Sequence, residues 1–136
     1  MKKIIIPFIL LALLSCDKVN SRRQFFGEWL VLKKEQQDAN GNWQDITKEC
    51  EKDDSEAFRN MGKWYYFPGS LRCSNTDKEA VGSWNYESSE KRLVFANSAN
   101  VNTSEAIVES IDDNGMVLNM NMADTLTMRI TYQRVK

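Results

Sequence analysis

The segment Gly115–Val135 reads GMVLNMNMADTLTMRITYQRV, and its alternation decides the fold class. Met116, Leu118, Met120 and Met122 fall on one face of an extended chain, with Val117, Asn119 and Asn121 on the other. Successive side chains of a strand point to opposite faces, so this is a period of two. The next run repeats it: Leu126, Met128, Ile130 and Tyr132 oppose Thr125, Thr127, Arg129 and Thr131. Two such runs joined through Ala123-Asp124 predict an antiparallel hairpin.

Working back from that hairpin, the same punctuation continues to Gly27. Short runs rich in β-branched and aromatic residues are expected as strands near Trp29–Lys34, Trp43–Thr47, Ser55–Arg59, Lys63–Phe67, Val81–Tyr86, Leu93–Phe95 and Ala106–Ile111. Turn chemistry separates them at Asn40-Gly41, Asn60-Met61-Gly62, Pro68-Gly69, Glu87-Ser88-Ser89 and Asp112-Asp113-Asn114-Gly115. With eight or nine short antiparallel strands and no helical period, the expected fold is all-β. Closure into a small up-and-down barrel disposes of the exposed edges. A sandwich is the alternative. Its immunoglobulin form is disfavoured, because Cys50 and Cys73 lie too near in sequence to join distant strands of two sheets.

The other end of the chain carries an address. Met1-Lys2-Lys3 is followed by an uncharged run from Ile4 to Leu14 and then Leu13-Leu14-Ser15-Cys16. A basic start, a short apolar stretch and a small residue before the break are the order of a secretory signal. The apolar run is too short to cross ~30 Å of hydrocarbon as a helix, and Pro7 would damage such a helix further. The last four residues resemble a bacterial lipobox, which implies cleavage after residue 15 and lipid on Cys16. Leu13 stands where an ordinary signal-peptidase site would place a small residue, which favours the lipobox. Two or three acyl chains on one cysteine hold firmly, where a single chain anchors only marginally. The expected organisation is therefore a signal peptide over 1–15, a lipidated cysteine and linker over 16–25, and a barrel domain over 26–136. Phe25-Phe26 starts the globular part through a short helical or irregular lead-in. The polar stretch Asp17–Arg23 reaches at most ~25 Å, so the domain sits close to its membrane.

Loss of the leader removes Lys2 and Lys3, leaving 16 basic against 19 acidic side chains. No basic run suited to nucleic acid remains, and no nucleic-acid partner is expected. Cys50 and Cys73 would travel to an oxidising compartment, where a disulfide between them is expected. With no histidine in the chain, two cysteines supply too few soft ligands for zinc.

Several local patterns, in order, resemble the lipocalin-like domains common in lipoproteins of Bacteroidetes-type bacteria. Gly27-Glu28-Trp29 is similar to the G-x-W that begins lipocalin barrels. Cys50-Glu51-Lys52-Asp53-Asp54, followed by Phe58, Gly62, Tyr65, Gly69 and Cys73, resembles that family's cysteine-bounded hairpin. Gly82-Ser83-Trp84 looks like its central G-T-W, and Thr131-Tyr132-Gln133-Arg134-Val135-Lys136 like its closing strand. The departures are Ser83 for threonine and Asn60-Met61-Gly62 for an Asp-Gly turn. The resemblance spans about Phe26 to Lys136 and implies a barrel and an address in the cell envelope, with the outer membrane expected. If Gly27-Glu28-Trp29 plays the lipocalin part, Trp29 and Arg134 close the barrel, and a guanidinium over the indole is expected.

Catalytic constellations are thin. Without histidine there is no Ser-His-Asp triad and no Cys-His pair, and no P-loop, G-x-S-x-G or H-E-x-x-H occurs. No enzyme activity, cofactor or metal is expected. The acidic group Glu49, Glu51, Asp53 and Asp54 lacks EF-hand spacing and reads as a solvated loop. Asp38-Ala39-Asn40-Gly41 reads as a turn. Asp124-Thr125-Leu126 resembles the acidic-hydroxyl-apolar triplet that such bacteria O-glycosylate. The aromatic set either fills the barrel or lines a pocket, since an eight-stranded barrel is just wide enough for side chains or one small ligand. Trp64, Tyr66, Trp84, Tyr86, Met120 and Met128 are the candidate ligand-binding residues, methionine being adaptable to irregular apolar partners. The function expected is a lipid-anchored envelope barrel that takes a small apolar or amphipathic ligand. The alternative is a structural or protein-interaction module with a side-chain-filled barrel.

Overall fold

Each of the nine expected runs is a strand. The computed structural model describes residues 21–97, 103–123 and 126–135. Among these residues the strands are β1 (Gly27–Gln37), β2 (Trp43–Asp45), β3 (Ser55–Arg59), β4 (Lys63–Phe67), β5 (Ala80–Glu87), β6 (Arg92–Asn97), β7 (Thr103–Ile111), β8 (Gly115–Ala123) and β9 (Leu126–Arg134). From β3 to β9 each strand pairs antiparallel with the next, and β1 pairs with both β3 and β9. Eight strands thus close into a barrel. β2 pairs with β1 outside the ring, extending its far end. The expected signal peptide over 1–15, Cys16 and the triplet at Asp124-Thr125 lie outside the described residues.

The C-terminal hairpin follows its sequence pattern. Met116 faces Tyr132, Leu118 faces Ile130 and Met120 faces Met128 across β8 and β9, so these pairs point inward together, while past the register shift after Asn121 the outer members Met122 and Leu126 are largely exposed. Asp112 sets the preceding turn, its Oδ1 accepting from the backbone N–H groups of Asn114 and Gly115. β1 is less regular. A register shift between Val31 and Lys33 reverses the strand's facing midway. Trp29 and Val31 are buried inside, whereas Glu35 pairs outside the ring with Arg129 at 2.9 Å and Lys33 at 2.6 Å. The Arg129 guanidinium also lies 4.2 Å from the ring centre of Trp43 on β2, which covers Glu35 from solvent.

One end of the barrel is plugged. The lead-in forms a short 3-10 turn, Arg22–Phe25, and drops Phe25 into the barrel mouth with no exposed surface. The ring of Phe25 lies 4.6 Å from Tyr86, 5.8 Å from Trp84 and 6.3 Å from Phe58, a cluster of offset and edge-on contacts that aromatic quadrupoles favour. Trp29 Nε1 donates to the Phe25 carbonyl at 2.9 Å. Arg134 secures the same turn, donating to the carbonyls of Phe26 and Gln24 at 2.6 and 2.7 Å.

Both G-x-W glycines have a steric reason. Gly27 holds φ at +135°, and a Cβ there would come within 2.9 Å of Arg134 Nη1. At Gly82 a Cβ would collide with the Ala96 carbonyl oxygen on the neighbouring strand. At Gly27 the positive φ favours glycine, and at Gly82 only glycine lets the two backbones approach this closely.

Cys50 and Cys73 form the disulfide, with Cα atoms 5.1 Å apart. It closes the segment that carries the β3–β4 hairpin. Of the acidic residues beside it, Glu49 is exposed as a solvated loop requires, but Asp53 and Asp54 are turned to the protein. Asp54 is buried, accepting from Tyr66 Oη at 2.7 Å and from the Gly69 N–H at 3.0 Å. Asp53 accepts from the N–H groups of Ser70 and Leu71. The chain between Pro68 and Glu79 has no strand of its own to satisfy its backbone, and these carboxylates supply the missing acceptors.

Candidate functional site

Among the described residues, the barrel's second end is not plugged as the first is, and its interior holds a cavity of about 250 Å³. Trp64 of β4, Phe95 of β6 and Ile130 of β9 give it apolar walls, and Met120, Met122 and Met128 line the β8–β9 side. These positions follow from register: Met120 opposes Met128, and Phe95 opposes Ser104, which also lines the space. A cavity this size is below the ~300–1,000 Å³ of drug-sized pockets and above the ~150 Å³ that encloses benzene.

The polar feature of the cavity is Glu56. Trp29 opposes it across β1 and β3, and because Trp29 points inward, so does the carboxylate. Trp64 Nε1 donates to Glu56 Oε2 at 2.9 Å, and Tyr132 Oη donates to Oε1 at 3.0 Å. Among the described residues no lysine or arginine lies within 4.0 Å of it. Lys34 lends it some positive charge, but that ammonium is held by Glu51 at 3.0 Å. Burial raises the Glu56 carboxyl above its ordinary value, against the lowering effect of the two donors. Tyr132 is raised well above the ordinary phenol value, by burial first and then by the charge of Glu56.

Beside the cavity the barrel wall parts. The β7–β8 ladder runs only between Ala106–Met120 and Ile111–Met116. Beyond it Thr103, Ser104 and Glu105 lean on β6, and Asn121 and Ala123 on β9. The seam forms a wider depression of about 430 Å³, which shares Ser104, Met120 and Met122 with the inner cavity.

The six candidate ligand-binding residues separate in space. Trp64, Met120 and Met128 meet in the cavity. Trp84 and Tyr86 instead pack around Phe25 at the plugged end, because the inward row of β5 extends toward that end. Trp84 Nε1 donates to the Arg59 carbonyl at 3.1 Å, and Tyr86 Oη is buried without a partner among the described residues. Tyr66 is turned to Asp54, and that bond together with burial raises its phenol. Trp29 and Arg134 are brought together as expected of closing residues: the guanidinium carbon lies 4.1 Å from the ring centre. Glu56 escaped the sequence reading. The one signal that could have found it is Phe58, which shares its parity in β3.

Among the described residues no group of three or more carboxylates or cysteines is arranged to hold a metal ion. No family model and no curated protein matches this chain. The closed eight-strand antiparallel barrel is compatible with a lipocalin-like fold.

Proposed function

We propose that this protein is a binding barrel, without catalytic function, that holds a small apolar or amphipathic ligand at its unplugged end. The observation that carries this reading is an apolar space faced by methionines and aromatic rings with one partly buried carboxylate on its wall. Small-molecule sites share that composition: apolar walls for affinity and a few polar groups for orientation. The filled half around Phe25 limits the ligand to the unplugged half, so the size class is that of a single substituted ring or a short chain. With the leader and Cys16 resembling a lipobox, the barrel would work on a lipid anchor at the cell envelope, with the outer membrane as its expected site.

The test is binding of fluorobenzene, a neutral probe, followed by its fluorine NMR line width. Full-chain protein in phosphatidylcholine nanodiscs should broaden the line beyond empty nanodiscs. Met120→Trp, which fills the cavity, should abolish the effect, while Met61→Trp on an exposed turn should not. No broadening by the native protein, or equal broadening by Met120→Trp, would sink the reading.

A further inference from the structure

We propose that the cavity selects organic cations, taking a small protonated amine whose ammonium docks on Glu56 and whose apolar body lies against Trp64, Phe95 and Met128. This rests on the cavity being a binding site and names the class of ligand it takes.

The argument begins with what Glu56 already has. Both carboxylate oxygens accept a hydrogen bond, one from Trp64 and one from Tyr132. Two converging donors are an arrangement for the ionised carboxylate, which is acceptor-only. A protonated carboxyl would keep both contacts only by turning its proton to Tyr132 Oη, because the indole N–H of Trp64 cannot accept. Yet hydrogen bonds from neutral groups do not supply countercharge, and a carboxylate drawn partly out of water is costly until it is paired. Among the described residues no side-chain cation touches it, and the neighbouring charges divide: Lys34, bound to Glu51, acts from a distance to favour the anion, and Asp54 opposes it.

The space beside the carboxylate is therefore a place where a cation gains most and an anion loses most. An incoming ammonium has lone pairs left to use, because each oxygen has accepted only one bond. The remaining walls offer an anion one hydroxyl and no positive charge: apart from Glu56, Tyr132 and Ser104 the lining is apolar or aromatic, and Tyr132 Oη is already committed to Glu56. Aromatic faces and thioethers also tolerate positive charge better than negative. At about 250 Å³ the cavity suits a one-ring or short-chain amine.

A matched series settles it by calorimetry on full-chain protein in phosphatidylcholine nanodiscs, with empty nanodiscs as the blank. 2-Phenylethylammonium, 2-phenylethanol and phenylacetate share a ring and differ in charge. The ammonium should bind roughly tenfold or more tightly than the alcohol, as expected of one charge-assisted contact, and phenylacetate should give no heat above the blank. Glu56→Gln should bring the ammonium to the level of the alcohol, with a native far-ultraviolet spectrum and a cooperative melt serving as the check that the barrel is intact. Equal binding of all three compounds overturns the cation selectivity while leaving the binding cavity standing. Preference for phenylacetate, or an ammonium preference that survives in Glu56→Gln, overturns it as well. Absence of binding by all three at millimolar concentration removes both the selectivity and the binding role.

Discussion

Arg134 lies over Trp29, its guanidinium carbon 4.1 Å from the ring centre, and the two residues oppose each other in the β1–β9 ladder that closes the barrel. Four partners meet on this one side chain: the indole and the carbonyls of Gln24, Phe26 and Asp113. Replacing it with leucine removes the cation and leaves the carbonyls at a closed barrel end without donors. Arg134→Leu should cost about 2–4 kcal/mol, the sum of one cation–π contact and the net loss of charged hydrogen bonds. Urea denaturation followed by tryptophan emission measures it. A loss below about 0.5 kcal/mol, the scale of an ordinary surface substitution, would show that the pair is incidental to closure.

The disulfide closes a loop with a sequence separation of 23 residues, which on the chain-entropy account stabilises the fold by ~3 kcal/mol. Replacing both Cys50 and Cys73 with serine should lower the denaturation midpoint accordingly. The native protein, denatured without reductant, should expose no thiol from either position. Two titratable thiols assigned to these positions by peptide mapping would remove the bridge from the account.

Glu56 makes a pH-dependent contribution of known sign. Its folded carboxyl is raised above the ordinary 4.5, so between those two values the folded state holds a proton that the unfolded chain has released. Stability from this group is full below pH 4.5 and declines as pH rises toward the folded value. Glu56→Gln cannot titrate, and the variant should gain on the native protein as pH climbs from 4.5. The gain is roughly 1.4 kcal/mol for each pH unit separating the folded and unfolded values. Paired melts from pH 4 to pH 8 give the difference directly, and a difference that stays flat or slopes the other way counts against a partly buried acid in the cavity.

The lipid anchor makes a fourth expectation. If Cys16 carries acyl chains, Cys16→Ser should release the protein from membranes into the soluble fraction while its far-ultraviolet spectrum remains that of a barrel. Retention of the variant in salt-washed membranes would place the attachment elsewhere.

These expectations differ in how much of their basis can be read from sequence, and the reason is parity. The alternation from Met116 to Tyr132 is clean because each strand there keeps one face apolar, and the observed register places those residues opposite one another. The Trp29–Arg134 contact is accessible by the same rule, since Arg134 shares parity with Tyr132. The rule fails where a strand changes face or a face carries charge. In β1 the shift after Val31 sends Glu35 to the outside, and nothing in Lys33-Lys34-Glu35 announces it. In β3, Ser55, Ala57 and Phe58 are all buried, so no alternation survives to mark Glu56 as inward. Trp84 and Tyr86 were legible as interior residues, but parity carries no information about height along the barrel axis. Which end they fill depends on how far each strand is staggered relative to its neighbours, a long-range property.

The plug at Phe25 gives the barrel two halves with separate duties. The side chains that make the fold cooperative gather at one end, and those that face the cavity gather at the other, with Glu56 and Tyr132 at the border. Most binding proteins alter selectivity at some cost to stability, because the same residues carry both. Here the methionines and Trp64 can be exchanged in descent while Phe25, Phe58 and Trp84 go on holding the chain together. Such a scaffold is suited to diversification, in which related barrels keep one architecture and drift apart in what they carry.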